Sequence, residues 1–191
     1  MARRRGIERR DVIAAGFAIL DRDGTEGVTL KAVADRLDVR SPSLYSHVAG
    51  IGGLLDDLAL AATEDFGTVL RDSAVGVAGD DAVRAFATAY RRWATDHPAR
   101  YELTLRPVDR PERRTAGIDA VETMDAILAH YGLDSRRASR VGRSLRASLH
   151  GFVTLQAADA LGRGDHDASF TALVDLFLDG LHGAIVAPSQ A

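Results

Sequence analysis

Helical periodicity of the apolar residues is the feature that most limits what this chain can fold into. Ile13, Gly16, Phe17 and Leu20, for example, stand at positions i, i+3, i+4 and i+7. That spacing places side chains on one face of an α-helix, whereas a strand needs β-branched residues that alternate with polar ones between turn signals. No segment of the sequence shows such an alternation. The pattern therefore predicts an all-α protein.

The predicted helices fall into a short group followed by a long group. Gly24 ends the first helix, Thr29 is placed to cap the second, and either Asp134 or Ser135 can cap a later one. The segment 106–113 contains two prolines and alternating charge, which predicts a loop or a broken turn. The later apolar stripes comprise Val83, Phe86, Ala87, Tyr90 and Ala94, with Pro98 after them; Ile118, Val121, Leu128 and Tyr131, with Gly132 after them; Val141, Leu145, Leu149 and Phe152; and Phe170, Leu173, Val174, Phe177, Leu178 and Leu181. Long helices with one apolar face are typical of a helical bundle.

The stretch VRSPSLYSHV, residues 39–48, is unusual for a buried helix. On a helix of 3.6 residues per turn, Leu44 and Val48 form a narrow inward face, Ser41 can act as the cap, and Pro42 suits the first turn. The remaining side chains point outward or flank the stripe: Pro42, Ser43, Tyr45, Ser46 and His47. Small hydroxyls let a helix enter the major groove of DNA and meet base edges, as in a helix-turn-helix. On spacing alone, an exposed polar helix in an unrelated bundle explains the pattern equally well.

The longer segment VTLKAVADRLDVRSPSLYSHV, residues 28–48, resembles the DNA-binding helix-turn-helix of the TetR family of bacterial repressors. The similarity extends back through RRDVIAAGFAILDRDGTEG, residues 9–27, and forward into GLLDDLALAA, residues 53–62. The resemblance implies a TetR-like fold. Residues 1–51 would form a three-helix DNA-binding domain, and residues 52–191 a helical sensing and dimerisation domain. A connecting helix from about residue 52 to residue 73 would join them.

The same resemblance implies which side chains contact a double-stranded DNA operator. The first motif helix would lie at Thr29–Leu37 and the recognition helix at Ser41–Val48. Thr29 would cap its helix and touch a phosphate, and Tyr45 and His47 would clamp the backbone. The expected base-facing residues are Lys31, Ser41, Pro42 and Ser43, and Arg40 belongs to the same DNA-binding set. A net charge of +2 over residues 1–50, against −5 over the rest, weakly favours a polyanionic partner at this end.

Two positions depart from the family pattern. The turn carries Asp38 where glycine is usual, and aspartate tolerates the left-handed conformation better than most residues. The next helix has Ile51 where a phosphate-binding lysine is usual, so one backbone contact is expected to be missing. Cations that can compensate from the N-terminal arm are Arg3, Arg4, Arg5, Arg9 and Arg10.

The C-terminal part of the family serves dimerisation and small-molecule sensing. SLHGFVTLQ, residues 148–156, resembles the His-Gly signature of the WHG-type subclass, although the tryptophan of that signature is not obvious in this sequence. Gly151 inside a helix costs about 1 kcal/mol relative to alanine, which indicates that another helix packs closely there. His150 fits either a hydrogen-bonded structural role or a ligand contact. Helices near 136–161 and 168–184 are the candidates for the subunit interface.

A small-molecule inducer is expected in a pocket of this C-terminal bundle. The candidate ligand contacts are Phe86, Tyr90, Trp93, Met124, Leu128 and His150. Aromatic and methionine side chains at helical spacing are also common in plain cores. Because no basic cluster lies on these stripes, we expect a mostly apolar compound that is uncharged or cationic.

No enzyme, metal or cofactor is expected. The chain has no cysteine and no two histidines at metal-ligand spacing, and Gly50, Gly52 and Gly53 lack the lysine and preceding strand of a phosphate loop. No apolar run approaches the ~20 residues of a membrane span, and no signal peptide is recognisable, so a cytoplasmic protein is expected.

The expected function is that of a ligand-responsive regulator, a repressor that binds a palindromic operator as a homodimer and is released by a small molecule. The alternatives are a transcriptional activator of the same fold and a helical small-molecule-binding protein without a DNA function.

Overall fold

A computed structural model of the chain describes residues 6–186, apart from the side chains of residues 114 and 184–186. Within these residues the chain forms nine α-helices and one 3₁₀-helix and no strand, which confirms the predicted all-α fold. The α-helices are α1 (Arg9–Gly27), α2 (Leu30–Arg36), α3 (Gly50–Ser73), α4 (Gly79–Asp96), α5 (Pro98–Thr104), α6 (Glu112–Ala116), α7 (Ile118–Ala129), α8 (Ser135–Ala157) and α9 (His166–Val186). The 3₁₀-helix spans Ser41–Ser46.

The helices form two compact units. The first, here called the head, consists of the residues up to Asp65 together with His97–Ala116. The second, here called the body, consists of Phe66–Asp96 together with the residues from Gly117 onward. The predicted domain boundary between residues 51 and 52 falls in the first turn of α3, and a functional division at that point stays a prediction.

The core of the head is made by apolar side chains from α1, α2, the 3₁₀-helix and α3. Its fully buried members include Val12, Leu20, Val33, Leu44, Leu54 and Leu58. Glycine at residue 16 allows α3 to approach α1 closely, because a β-carbon there would lie 3.0 Å from Leu58 Cδ2 and that side chain would have to shift. On the other side of α1, the Arg100 guanidinium of α5 lies 4.3 Å from the ring centre of Phe17 and donates through Nε to Asp21 Oδ1 at 2.9 Å.

The body packs α4 against α7, α8 and α9. Phe66, at the body end of α3, stacks on Trp93 with ring centres 4.6 Å apart and meets the edge of Tyr90 at 4.9 Å. The largely buried Arg91 fastens α4 to the last two helices. Its guanidinium lies 4.9 Å from the ring centre of Phe170, and its Nη1 is 2.8 Å from Asp167 Oδ1.

Several local predictions are confirmed. The Thr29 side chain caps α2 by accepting a hydrogen bond from the Ala32 amide at 3.0 Å, and Asp134 caps α8 by accepting one from the Arg137 amide at 2.9 Å. Gly24 leaves the helical conformation inside α1 with φ of +70°. These features depend on residues within four positions of each other, so the sequence contains the information that sets them.

One boundary prediction was confirmed and another was partly wrong. Helix α4 ends at Asp96, near Pro98 as predicted, and Pro98 also starts the short helix α5, where its missing N–H and fixed φ suit the first turn. The predicted loop at 106–113 is shorter than expected, since α6 begins at Glu112.

The apolar face of α7 was also assigned partly wrongly. Ile118 and Val121 were placed on its buried stripe, but they are 43% and 56% exposed. Thr123, Met124 and Ile127 are buried instead, together with the correctly predicted Leu128. This helix carries apolar residues on more than one face, and packing against α4 and α8 decides which face is covered.

Candidate nucleic-acid interface

The turn between α2 and the 3₁₀-helix is set by Asp38, whose φ of +52° is left-handed. The prediction that aspartate can replace glycine at this point is confirmed. After the turn, the Val39 amide donates to the Ala34 carbonyl at 3.0 Å, which satisfies an acceptor left open at the end of α2. The turn therefore fixes the direction of the 3₁₀-helix relative to α2.

The predicted recognition helix is a 3₁₀-helix and not an α-helix. The Ser43 amide donates to the Arg40 carbonyl, and the His47 amide to the Leu44 carbonyl, both at 2.9 Å. The Ser46 hydroxyl also donates to the Ser43 carbonyl at 2.9 Å. Proline has no N–H to give, and a serine hydroxyl competes for the backbone carbonyls, so a segment this short keeps the tighter i to i+3 pattern.

Burial along this helix follows the predicted inward face. Leu44 is fully buried and Val48 is 5% exposed. Pro42, Ser43, Tyr45 and Ser46 are exposed, and Tyr45 reaches 63%. His47, predicted to flank the stripe like Tyr45, is only half-buried, because at three residues per turn it falls on the same side as Leu44.

The remaining predicted contact residues surround the helix. Ser41 was expected to cap it, but Arg40 occupies the N-cap position and makes no side-chain cap bond; Ser41 is the first helical residue and half-buried. Thr29 and Lys31 are exposed on α2, and Lys31 Nζ is 2.6 Å from Asp35 Oδ2. Three of the predicted contact residues, Thr29, Lys31 and Arg40, are thus exposed, as contact with DNA requires.

Arg9 makes a contact that the sequence did not indicate. Its Nη2 donates to Asp57 Oδ1 at 2.7 Å, and this hydrogen bond raises the pKa of Arg9. Asp57 on α3 is buried and also accepts from Arg110 Nη1 at 2.5 Å, while Arg106 Nε donates to Asp56 at 3.0 Å. These arginines tie α1 and the residues before α6 to the beginning of α3.

The arginines expected to compensate for the missing lysine are not equally available, because two of them are already paired with carboxylates. Ile51 itself is 43% exposed in the first turn of α3. Arg9 is held by Asp57, and Arg10 Nη2 lies 2.9 Å from Glu8 Oε2. The positions of Arg3, Arg4 and Arg5 lie outside the described residues.

The predicted ligand contacts all lie in the body. Phe86, Tyr90, Trp93, Met124 and Leu128 are buried among the helices. His150 is half-buried, with Nδ1 3.5 Å from Thr154 Oγ1. A β-carbon at Gly142 on α8 would lie 3.1 Å from Met124 Cγ and 3.6 Å from Leu128 Cδ1, so these two pack beneath α8. Their burial fits a core role as well as a ligand role, and the ligand assignment stays a prediction.

Comparison with known proteins gives the family. The profile described as "Tetracyclin repressor-like, C-terminal domain" matches residues 83–177. The uncharacterized HTH-type transcriptional regulator Rv0681 of Mycobacterium tuberculosis is 35% identical over 91% of this chain and 81% of its own length. The chain belongs to the TetR family of transcriptional regulators. The uncharacterized HTH-type transcriptional regulator YobS of Bacillus subtilis is 31% identical to this TetR-family chain. The match covers 95% of this chain and 96% of YobS.

A solved structure agrees on the fold of the TetR-family chain. A TetR variant from Acinetobacter baumannii, in complex with minocycline, superposes with a TM-score of 0.72 at 22% identity, covering 95% of this chain and 99% of the other. The family and relatives are transcriptional regulators, which confirms that this TetR-family protein is not an enzyme. Within the described residues, no cluster of three metal-binding side chains occurs. None of the helices found there combines the length and apolar content needed to cross a bilayer.

Proposed function

We propose that this TetR-family protein is a ligand-responsive repressor that binds a palindromic operator as a homodimer and is released by a small molecule. The observation that carries the proposal is the short helix at Ser41–Ser46. It is anchored by the fully buried Leu44 and exposes Pro42, Ser43 and Tyr45. A helix with small outward side chains and a firm apolar anchor suits insertion into a major groove about 12 Å wide.

Two kinds of DNA contact follow from the exposed surface. Ser43 and Ser46 share one edge of the 3₁₀-helix, where hydroxyls can meet base edges, and Lys31 and Arg40 lie exposed next to the helix. Tyr45, at 63% exposure, has the reach to donate to a phosphate. Phosphate contacts set position and affinity, whereas base contacts set sequence preference.

The outer faces of α8 and α9 support the homodimer. Leu155 on α8 and Leu176 on α9 are 46% and 72% exposed. Among the described residues, no atom beyond the neighbouring residues and local backbone of the same helix lies within 4 Å of a β-carbon placed at Gly151, Gly180 or Gly183. The part of the protomer that the structure describes therefore does not provide the close packing predicted at Gly151. Exposed leucines beside glycines suit close contact with a second pair of helices.

Release by a ligand requires that it bind the DNA-incompetent arrangement more tightly than the competent one. The coupling is reciprocal, so operator DNA weakens ligand binding by the same factor, typically about 5–150-fold. Similarity to a TetR protein solved in complex with minocycline supports small-molecule sensing by this chain. The residues proposed to contact the ligand are Phe86, Tyr90, Trp93, Met124, Leu128 and His150, and we propose a mostly apolar compound, uncharged or cationic.

Selection of bound sequences from a random DNA pool with purified protein tests the proposal. We expect an enriched palindrome whose half-site centres lie about one helical turn, ~34–36 Å, apart. A promoter carrying that palindrome, placed before a reporter, should be silenced by the protein. Enrichment without two-fold symmetry would contradict the dimeric mode, and increased reporter expression would identify an activator. No enrichment above a pool without protein would contradict DNA recognition.

A further inference from the structure

Helix α8 concentrates positive charge on one side of the body. Residues 51–191 contain fifteen arginines and twenty aspartates and glutamates, and five of the arginines but none of the acidic residues lie on α8. The exposed arginines of this helix are Arg136, Arg140, Arg143 and Arg146. At about 100° per residue, the first three fall within about 60° of one another and face away from the buried Leu145. Arg136, Arg140 and Arg143, here called the arginine stripe, therefore form the outer surface of the first half of α8.

The arginine stripe has no carboxylate partner in the part of the protomer that the structure describes. Arg143 Nη1 donates to the Ser139 hydroxyl oxygen at 3.0 Å, which leaves its charge uncompensated. Three guanidinium groups within about 10 Å of helix repel one another, because the rise is about 1.5 Å per residue. An acidic surface that covers the stripe replaces this repulsion with attraction.

Helix α9 has the opposite charge. It contains three aspartates and neither arginine nor lysine. Asp167 and Asp175 are each paired with an arginine of α4. Asp179 is exposed, and within the described residues it has no ion-pair partner. It stands beside Gly180 on the outer face of α9, so its carboxylate is available to a surface outside the protomer.

The register of the two helices places Asp179 level with the arginine stripe. Phe152 of α8 and Phe170 of α9 meet with ring centres 5.1 Å apart. The two helices run antiparallel, because only a short connection joins them. Arg143 stands nine residues before Phe152, and Asp179 stands nine residues after Phe170. The cation and the carboxylate therefore lie at the same height along the helix pair, although they do not pair with each other in the protomer.

The arginine stripe is continuous with the surface already proposed to form the homodimer. On the same side of α8 it is followed by Ala147 and Gly151, whose small size lets another helix approach closely. No large apolar side chain interrupts the stripe, in contrast to a helix that lies on a membrane, which needs an apolar face. A charged segment that leads into a row of small residues suits a helix of a second protomer.

We propose that α9 of a second copy of this chain covers the arginine stripe, with Asp179 of the partner subunit between Arg140 and Arg143. A two-fold axis that runs along the helices brings α8 of each protomer onto α9 of the other at equal height, so the contact occurs twice. The inference rests on the proposed homodimer and goes beyond it. It identifies the charges by which this chain pairs with its own copy and disfavours a related chain that lacks the carboxylate.

The test reverses the two charges separately and then combines the variants. The first variant is Arg140→Glu with Arg143→Glu, and the second is Asp179→Arg; all three positions are exposed, so the protomer keeps its core. The matched control for the first variant reverses two exposed arginines outside α8 and α9, Arg36→Glu with Arg92→Glu. Asp125→Arg on α7 is the control for the second. Sedimentation velocity over a concentration series measures the dimer Kd, and circular dichroism checks folding.

We expect each variant alone to raise the dimer Kd by about 10-fold or more, because like charges then meet at both contacts. An equimolar mixture of the two variants should form a heterodimer with a Kd near that of the wild type, since opposite charges meet again at both contacts. The controls should stay within about 2-fold of the wild type, as expected for exposed charges outside the contact. High salt should reduce the difference between the wild type and the variants.

Dimerisation of either variant with the wild-type Kd, or a mixture that fails to form the heterodimer, would overturn the proposal. If the first variant dimerises normally but binds unrelated duplex DNA or vesicles of anionic lipid less tightly, the stripe recognises phosphate groups and the proposal is wrong. A wild type that is monomeric with and without operator would contradict the proposed homodimer itself, and this inference with it.

Discussion

Replacing Leu176 by glutamate is expected to dissociate the proposed homodimer while leaving the protomer folded. Leu176 is 72% exposed on α9, so the substitution removes little packing within the protomer. Complete burial of a leucine side chain contributes about 1.5–3 kcal/mol, of which the exposed fraction leaves about 1–2 kcal/mol for the interface. A two-fold dimer contains the position twice, which gives about 2–4 kcal/mol.

That energy corresponds to an increase of about 30- to 1,000-fold in the dimer Kd, before the additional cost of desolvating two carboxylates. Sedimentation velocity over a concentration series measures the shift, and circular dichroism checks that the melting temperature is unchanged. Val121→Glu is the matched control, because it introduces the same charge at a 56% exposed position on α7, outside α8 and α9. Wild-type dimerisation of the Leu176→Glu variant would refute the assignment of the interface to α9.

Three further outcomes are expected. Tyr45→Phe should weaken binding to operator and unrelated duplexes alike, whereas Ser43→Ala should change the preference among operator variants by about 1–3 kcal/mol. Fluorescence anisotropy with both kinds of DNA distinguishes the two effects. The reverse pattern would exchange the roles of the two residues. Asp57→Asn should lower the free energy of unfolding in urea by about 1–3 kcal/mol, because a buried carboxylate loses its charge-assisted bonds; an unchanged urea midpoint would contradict this. The Tyr131 hydroxyl holds the pKa of Asp80 below its ordinary 3.8, so this contribution is present above pH 3.8 and is lost as the pH falls through the folded-state pKa. In urea, Tyr131→Phe should therefore have a lower free energy of unfolding than the wild type at neutral pH and should lose less of it on acidification. An equal loss of stability in the variant and the wild type would argue against the hydrogen bond.

The arrangement of the helix-turn-helix segment, residues 28–48, was largely predictable from the sequence. The cap at Thr29, the left-handed Asp38 and the inward Leu44 and Val48 were all anticipated. Each depends on backbone preference or apolar spacing over a few neighbouring residues, and such preferences act in the same way in any fold. The conversion of the recognition segment to a 3₁₀-helix was missed, although Pro42 and the nearby serines are the residues that favour it.

Only the tertiary structure decided which distant residues meet. The sequence gives no sign that Asp57 is buried between Arg9 and Arg110, which are 48 and 53 positions away, because a lone aspartate in a helix usually faces solvent. The choice of the covered face of α7 has the same origin. Apolar spacing determines that a helix has a face to bury, whereas the identity of the side chains opposite that face depends on how all the helices pack together.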